Sequence, residues 1–116
     1  MYRLLTGEIL GEKHNVEIIM FLNMFGSRSR SEIYQAISTS SGMPRKLETL
    51  RSHGIVDLYE TENGRRKMVK LTSLGKEFAS AIEILEGRSG GDLNRCRIDA
   101  ATGINLEMGL INNLWE

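Results

Sequence analysis

The chain of 116 residues is short of the side chains that catalysis and metal binding usually draw on. Its single cysteine, Cys96, can form no internal disulfide, and with the two separated histidines, His14 and His53, it matches no familiar zinc-ligand spacing. An intracellular, reducing environment fits that usage. No apolar run approaches the ~18 residues of a membrane span, and the N-terminus lacks the basic, apolar, small-residue order of a signal peptide. The expected location is the cytoplasm. No phosphate-binding glycine motif, Ser-His-Asp or Cys-His set, or carboxylate pair can be placed, so neither an enzyme nor a cofactor is expected.

Net charge is also lacking, with 15 basic and 15 acidic residues, but the two signs are segregated. Residues 1–25 hold two basic and three acidic side chains, residues 26–76 hold ten and five, and residues 77–116 hold three and seven. A basic middle between acidic ends is a footprint of the kind that meets phosphate. The apolar fraction of 41% and charged fraction of 26% are those of a folded globular chain, and the length suits one small core.

The local signals predict a mainly α chain with a small β-hairpin, in the order α-α-α-β-β-α. Residues 16–25 form a mostly buried apolar stretch stopped by Gly26. Ser29-Arg30-Ser31-Glu32 has the spacing of a capping box and opens a second helix with Ile33, Ala36 and Ile37 on its apolar face. The small polar run 38–42 makes a tight connection to a third helix, on which Met43, Leu47 and Leu50 share a face. The one proline, Pro44, is tolerated in the first turn, and His53-Gly54 closes the helix. Residues 55–59 and 67–71 are strand-prone, and Asn63-Gly64 between them signals a type I′ hairpin. Thr72 or Ser73 caps a last helix carrying Phe78, Ile82 and Leu85 on one face. Met20, Met24, Met43 and Met68 fall in these apolar segments and read as core.

Two stretches carry a family likeness. Residues 43–56, with Leu50, three residues, then Gly54-Ile55-Val56, resemble the recognition helix of MarR-, ArsR- and PadR-like regulators. Residues 71–75, Leu-Thr-Ser-Leu-Gly, resemble the Leu-Thr-x-x-Gly that follows their wing. The resemblance implies a winged helix-turn-helix fold and a DNA-binding transcriptional regulator, with double-stranded DNA as partner. The alternative use of the fold is a protein–protein interaction module. The likeness stops at the superfamily, because the paired-cysteine motif of ArsR-type sensors is absent and MarR-type long dimerisation helices are not evident.

Under that reading, the helix face opposite Met43, Leu47 and Leu50 would enter the major groove. It carries Arg45, Glu48, Thr49 and Ser52, following Ser41 and Pro44 at its start. Arg45 can grip a guanine edge and Thr49 can offer a hydroxyl or methyl, with Lys46 and Arg51 flanking towards phosphates. Glu48 is discordant, as it repels phosphate unless it accepts from a cytosine amine or pairs with a neighbouring arginine. On the wing, residues 60–70, Arg65, Arg66 and Lys67 are candidates for phosphate or minor-groove contact, and Arg28 and Arg30 before the second helix are further phosphate candidates. His53, in the last turn of its helix, reads as a carbonyl cap rather than a catalytic group.

The domain reading is an N-terminal extension over 1–12, a winged-helix domain over 13–86, a linker over 87–91 and a tail over 92–116. Two readings of the tail stand side by side. Leu106, Leu110, Ile111 and Leu114 can form one stripe of a short helix, or residues 88–116 can be a non-native extension, since Gly87-Arg88-Ser89-Gly90-Gly91 resembles a fusion junction. A homodimer is expected, because one domain of this size covers only half of a two-fold site. The apolar first helix offers it a surface.

Overall fold

The structure, a computed structural model, describes residues 3–91; the stripe in the tail lies outside them. Five helices and three strands follow in the order α1 (Leu5–Leu10), α2 (Asn15–Phe25), β1 (Arg28–Ser29), α3 (Arg30–Ala36), α4 (Met43–Ser52), β2 (Val56–Glu60), β3 (Lys67–Leu71) and α5 (Ser73–Arg88). The strands form one antiparallel sheet in the order β1-β3-β2. A helical body with a small three-stranded sheet is compatible with a winged helix. None of the described helices is long and apolar enough to cross a membrane.

Three helix ends have a clear local cause. Gly26 ends α2 at φ 77°, a positive-φ conformation that costs glycine little. The Ser29 hydroxyl accepts from the Glu32 N–H while the Glu32 carboxylate accepts from the Ser29 N–H, completing the expected capping box. Thr72 caps α5 by accepting from the Gly75 N–H at 3.0 Å.

The core is built from α2, α4, the base of the sheet and the inner side of α5. Ile18, Ile19, Ile33, Met43, Leu47, Leu50, Ile55, Val56 and Val69 are all at most 1% exposed. Each large apolar side chain so buried contributes about 1.5–3 kcal/mol. α2 is the central element, with Ile18 through Leu22 buried without interruption. That stretch is covered by its own chain, while Val16, Met24 and Phe25 are only partly buried, so the dimer surface expected on this helix is narrowed to those three.

Several expectations are corrected. The stretch before residue 13 is not a plain extension: α1 packs on α2 through Ile9, and the fully buried Asn15 donates to the Ile9 carbonyl at 2.7 Å. β1 is a second unexpected element, two residues pairing Arg28 with Val69 and Ser29 with Met68. The hairpin is not a two-residue type I′ turn, which needs positive φ at both central residues; only Gly64 has it. Instead the Gly64 N–H bonds the Thr61 carbonyl at 2.7 Å, and Asn63 Oδ1 accepts from the Thr61 hydroxyl and the Arg65 N–H. α5 continues through Gly87 and Arg88, placed above in the linker. Its packed face is Gly75, Phe78, Ala79 and Ile82, whereas Leu85 is 60% exposed. Asn23 donates to Glu83, which puts Glu83 beside the last turn of α2 and leaves the following residues no core to meet.

The Leu71-Thr72-Ser73-Leu74-Gly75 motif acquires a physical reason. The Thr72 hydroxyl is directed at the carbonyls of Gly54 and Ile55, and the Thr72 N–H bonds the Ile55 carbonyl at 3.0 Å. Gly75 lies so close to that same carbonyl that a Cβ would overlap its oxygen and come within 2.8 Å of Leu71 Cδ2. The motif thus clamps the start of α5 to the junction of α4 and β2, fixing helix and hairpin relative to one another.

Candidate nucleic-acid interface

α4 presents its outer face because its inner face is filled by Met43, Leu47 and Leu50, all at most 1% exposed. Arg45, Glu48, Ser52 and Pro44 are exposed, Thr49 is half-buried, and Ser41 is exposed in the preceding turn. Lys46 departs from expectation. At 100° per residue it falls about 65–70° from the centre of the buried stripe, and it is only 8% exposed. It is buried where its neighbours on the outer face are exposed.

The remaining side chains of α4 are largely engaged within the protein. Arg45 Nη2 donates to Glu12 Oε1 at 2.8 Å, reaching back to the turn between α1 and α2. Arg51 is ion-paired with Glu48 one helical turn away. The Arg51 hydrogen bond, helped by its charge, outweighs a small desolvation and holds the Glu48 carboxyl below its ordinary value. Glu48 is therefore ionised and matched at neutral pH, which removes the discordance of a bare carboxylate on this face and occupies Arg51. The Thr49 hydroxyl donates to the Arg45 carbonyl at 2.9 Å and the Ser52 hydroxyl to the Thr49 carbonyl at 2.8 Å. His53 closes the helix through its backbone N–H, which bonds the Thr49 and Arg51 carbonyls; the imidazole is not the cap.

The second region arises from β1. Because Arg28 and Ser29 pair with Val69 and Met68 of β3, the start of α3 is drawn against the β2–β3 hairpin. A groove of about 730 Å³ runs between them, lined by Ser27 to Glu32 and Gln35 on one side and Gly64 to Met68 on the other. Arg28, Arg30, Arg65, Arg66 and Lys67, far apart in sequence, meet there. Arg28 is held by Glu32 at 3.3 Å. Burial alone would raise the Glu32 carboxyl, but hydrogen bonds from Ser29 and the charge of Arg28 together bring it below the ordinary value. Arg30, Arg65, Arg66 and Lys67 make no ion pair among the described residues. Arg30 and Lys67 also border a smaller hollow with Glu48 of α4, Tyr59 and Glu60, the last opposite Lys67 in the strand pairing. Further along the wing, Lys70 Nζ stands 5.5 Å from the centroid of the Tyr59 ring.

Glu12 was invisible to sequence reasoning, because nothing in the pattern of residues 1–12 brings that turn to α4. Among the described residues, no cluster of three histidine, cysteine or acidic side chains is placed to hold a metal ion.

No protein-family model matches the chain, and a search of curated proteins finds no match. Solved structures do match. One is the crystal structure of a probable transcriptional regulator from Pseudomonas aeruginosa, with a TM-score of 0.58 over 95% of this chain and 85% of that chain, at 18% identity. The likeness is one of fold.

Proposed function

We propose that the chain is a DNA-binding transcriptional regulator of the winged-helix superfamily that includes the MarR, ArsR and PadR types. The observation that carries the reading is the groove between α3 and the wing, where Arg30, Arg65, Arg66 and Lys67 stand without carboxylate partners among the described residues, next to the outer face of α4. Four cations converging beside one exposed helix suit a duplex whose backbone is held by the groove while α4 lies in the major groove. Arg45, Thr49 and Ser52, with Ser41 and Pro44 at the helix start, then face the bases. Two copies acting together would read a two-fold site; sedimentation at tens of micromolar tests this, and a monomer would refute it.

Each phosphate contact adds about 0.9 to the slope of log affinity against log salt. Four such cations give a slope near −3.6 per copy, or roughly a hundredfold loss of affinity between 50 and 200 mM salt. The test is a duplex titration across that range with the wild type and Arg66→Ala. The variant should bind every sequence more weakly and lower the slope by about one.

A second reading is favoured by one observation: both arginines of α4 that point outward, Arg45 and Arg51, are already paired with carboxylates. A face so neutralised also suits a protein partner. Binding to duplex DNA that is absent, or insensitive to salt, would favour this reading.

A further inference from the structure

Glu12 lies outside the residues that carry the family likeness, yet its carboxylate holds Arg45, the residue of α4 best suited to a guanine edge. The turn that presents it is built with care. Asn15 is fully buried and ties the turn down twice, through its side chain to the Ile9 carbonyl at 2.7 Å and through its N–H to the Glu12 carbonyl at 3.2 Å. His14 is the one non-glycine residue among those described with positive φ, at 75°. Such a conformation costs about 1 kcal/mol or more, and persists only where the surroundings impose it. What this constrained turn offers to α4 is Glu12.

The contact has the geometry of a brace rather than a block. One nitrogen of the guanidinium, Nη2, meets one carboxylate oxygen, Oε1, and the Arg45 side chain stays 67% exposed while that of Glu12 is 39% exposed. A guanidinium has five N–H donors in a rigid fork, so one bond to Glu12 leaves enough for a two-bond grip on O6 and N7 of guanine. A free arginine must give up its rotamer freedom on binding; one already held has less to lose.

We infer that Glu12 is a specificity-determining positioning residue, which orients Arg45 for base contact from the α1–α2 turn. The inference rests on the DNA-binding reading above. It predicts two opposite effects of Glu12→Ala: weaker preference at the bases Arg45 contacts, and tighter binding to DNA in general, because a carboxylate has been removed from beside the phosphates.

The experiment is selection from a random-sequence duplex pool by the full chain, with the wild type, Glu12→Ala, Glu12→Gln and Arg45→Ala in parallel. Affinity for the unselected pool and thermal stability are measured alongside. Glu12→Ala should lose preference at the same base positions as Arg45→Ala, by roughly three- to tenfold, and gain roughly two- to fivefold in affinity for the unselected pool. Glu12→Gln keeps an acceptor oxygen and should recover part of the preference. Melting temperatures should stay together, since the pair is exposed. Equal tightening on all sequences with preference unchanged would make Glu12 a mere competitor of DNA and overturn the inference. If Arg45→Ala itself changes no preference, α4 does not read bases through Arg45, and the inference fails with that assignment. If the wild type enriches nothing, the DNA-binding reading fails first.

Discussion

Gly75→Ala is the substitution whose outcome the structure determines most sharply. In an exposed third position of a helix, alanine would gain up to about 1 kcal/mol over glycine in helix propensity. Here the added Cβ overlaps the Ile55 carbonyl oxygen and comes 2.8 Å from Leu71 Cδ2. The oxygen is backbone and cannot swing aside, so α5 must lift from the α4–β2 junction. Overpacking of this kind costs about 1–3 kcal/mol, and the lift also stretches the Thr72 bonds to Gly54 and Ile55, each worth about 1 kcal/mol. A net destabilisation of about 2–3 kcal/mol is expected after the propensity gain is subtracted. At about 4–8 °C per kcal/mol for a domain of this size, the melting temperature should fall by at least about 8 °C. Thermal unfolding followed by circular dichroism reads this directly. A variant as stable as the wild type, or more stable, would refute the claim that close backbone approach selects glycine in the Leu-Thr-x-x-Gly motif.

Other substitutions probe other parts of the account. Ser29→Ala removes the cap of α3 and should cost about 1 kcal/mol in denaturant unfolding, with the start of α3 loosening against the wing. Glu32 has a lowered carboxyl pKa in the folded chain, so its stabilising contribution is present above the ordinary value of 4.5 and is lost as pH falls through the lower folded value. The stability gap between wild type and Glu32→Gln should therefore be open at pH 7 and close in that acid window, as urea titrations at stepped pH would show. Lys46→Met preserves the buried stem and should leave duplex affinity within about twofold of wild type, where a phosphate contact of its own would cost more.

Much of the fold was legible because its signals are local. Gly26, the Ser29–Glu32 box, Pro44, Gly54 and Thr72 each act on backbone within a few residues, and they bracket α2 through α5 to within a residue or two. α1 was not legible, since its six residues are too few for a periodic pattern and its anchor is the buried side chain of Asn15. β1 was not legible for a related reason: two residues carry no alternation, and their partners lie about forty positions away in β3. Asn63-Gly64 misled because the pair also serves longer turns, in which only the glycine needs positive φ.

The candidate interface divides along the same line. The outer face of α4 follows from helical spacing, whereas the burial of Lys46 does not, because a long basic side chain reads as exposed even at a position that borders the core. The convergence of Arg28, Arg30 and the wing cations in one groove depends on the pairing of β1 with β3, and the pairing of Arg45 with Glu12 depends on the packing of α1. Neither is written in local pattern.

The most direct test of the central claim is selection by the wild-type chain from a random duplex pool at moderate salt. The account predicts enrichment of one short motif, with a second, inverted copy about one helical turn away if two copies bind together. A pool that emerges with its sequence composition unchanged would contradict it.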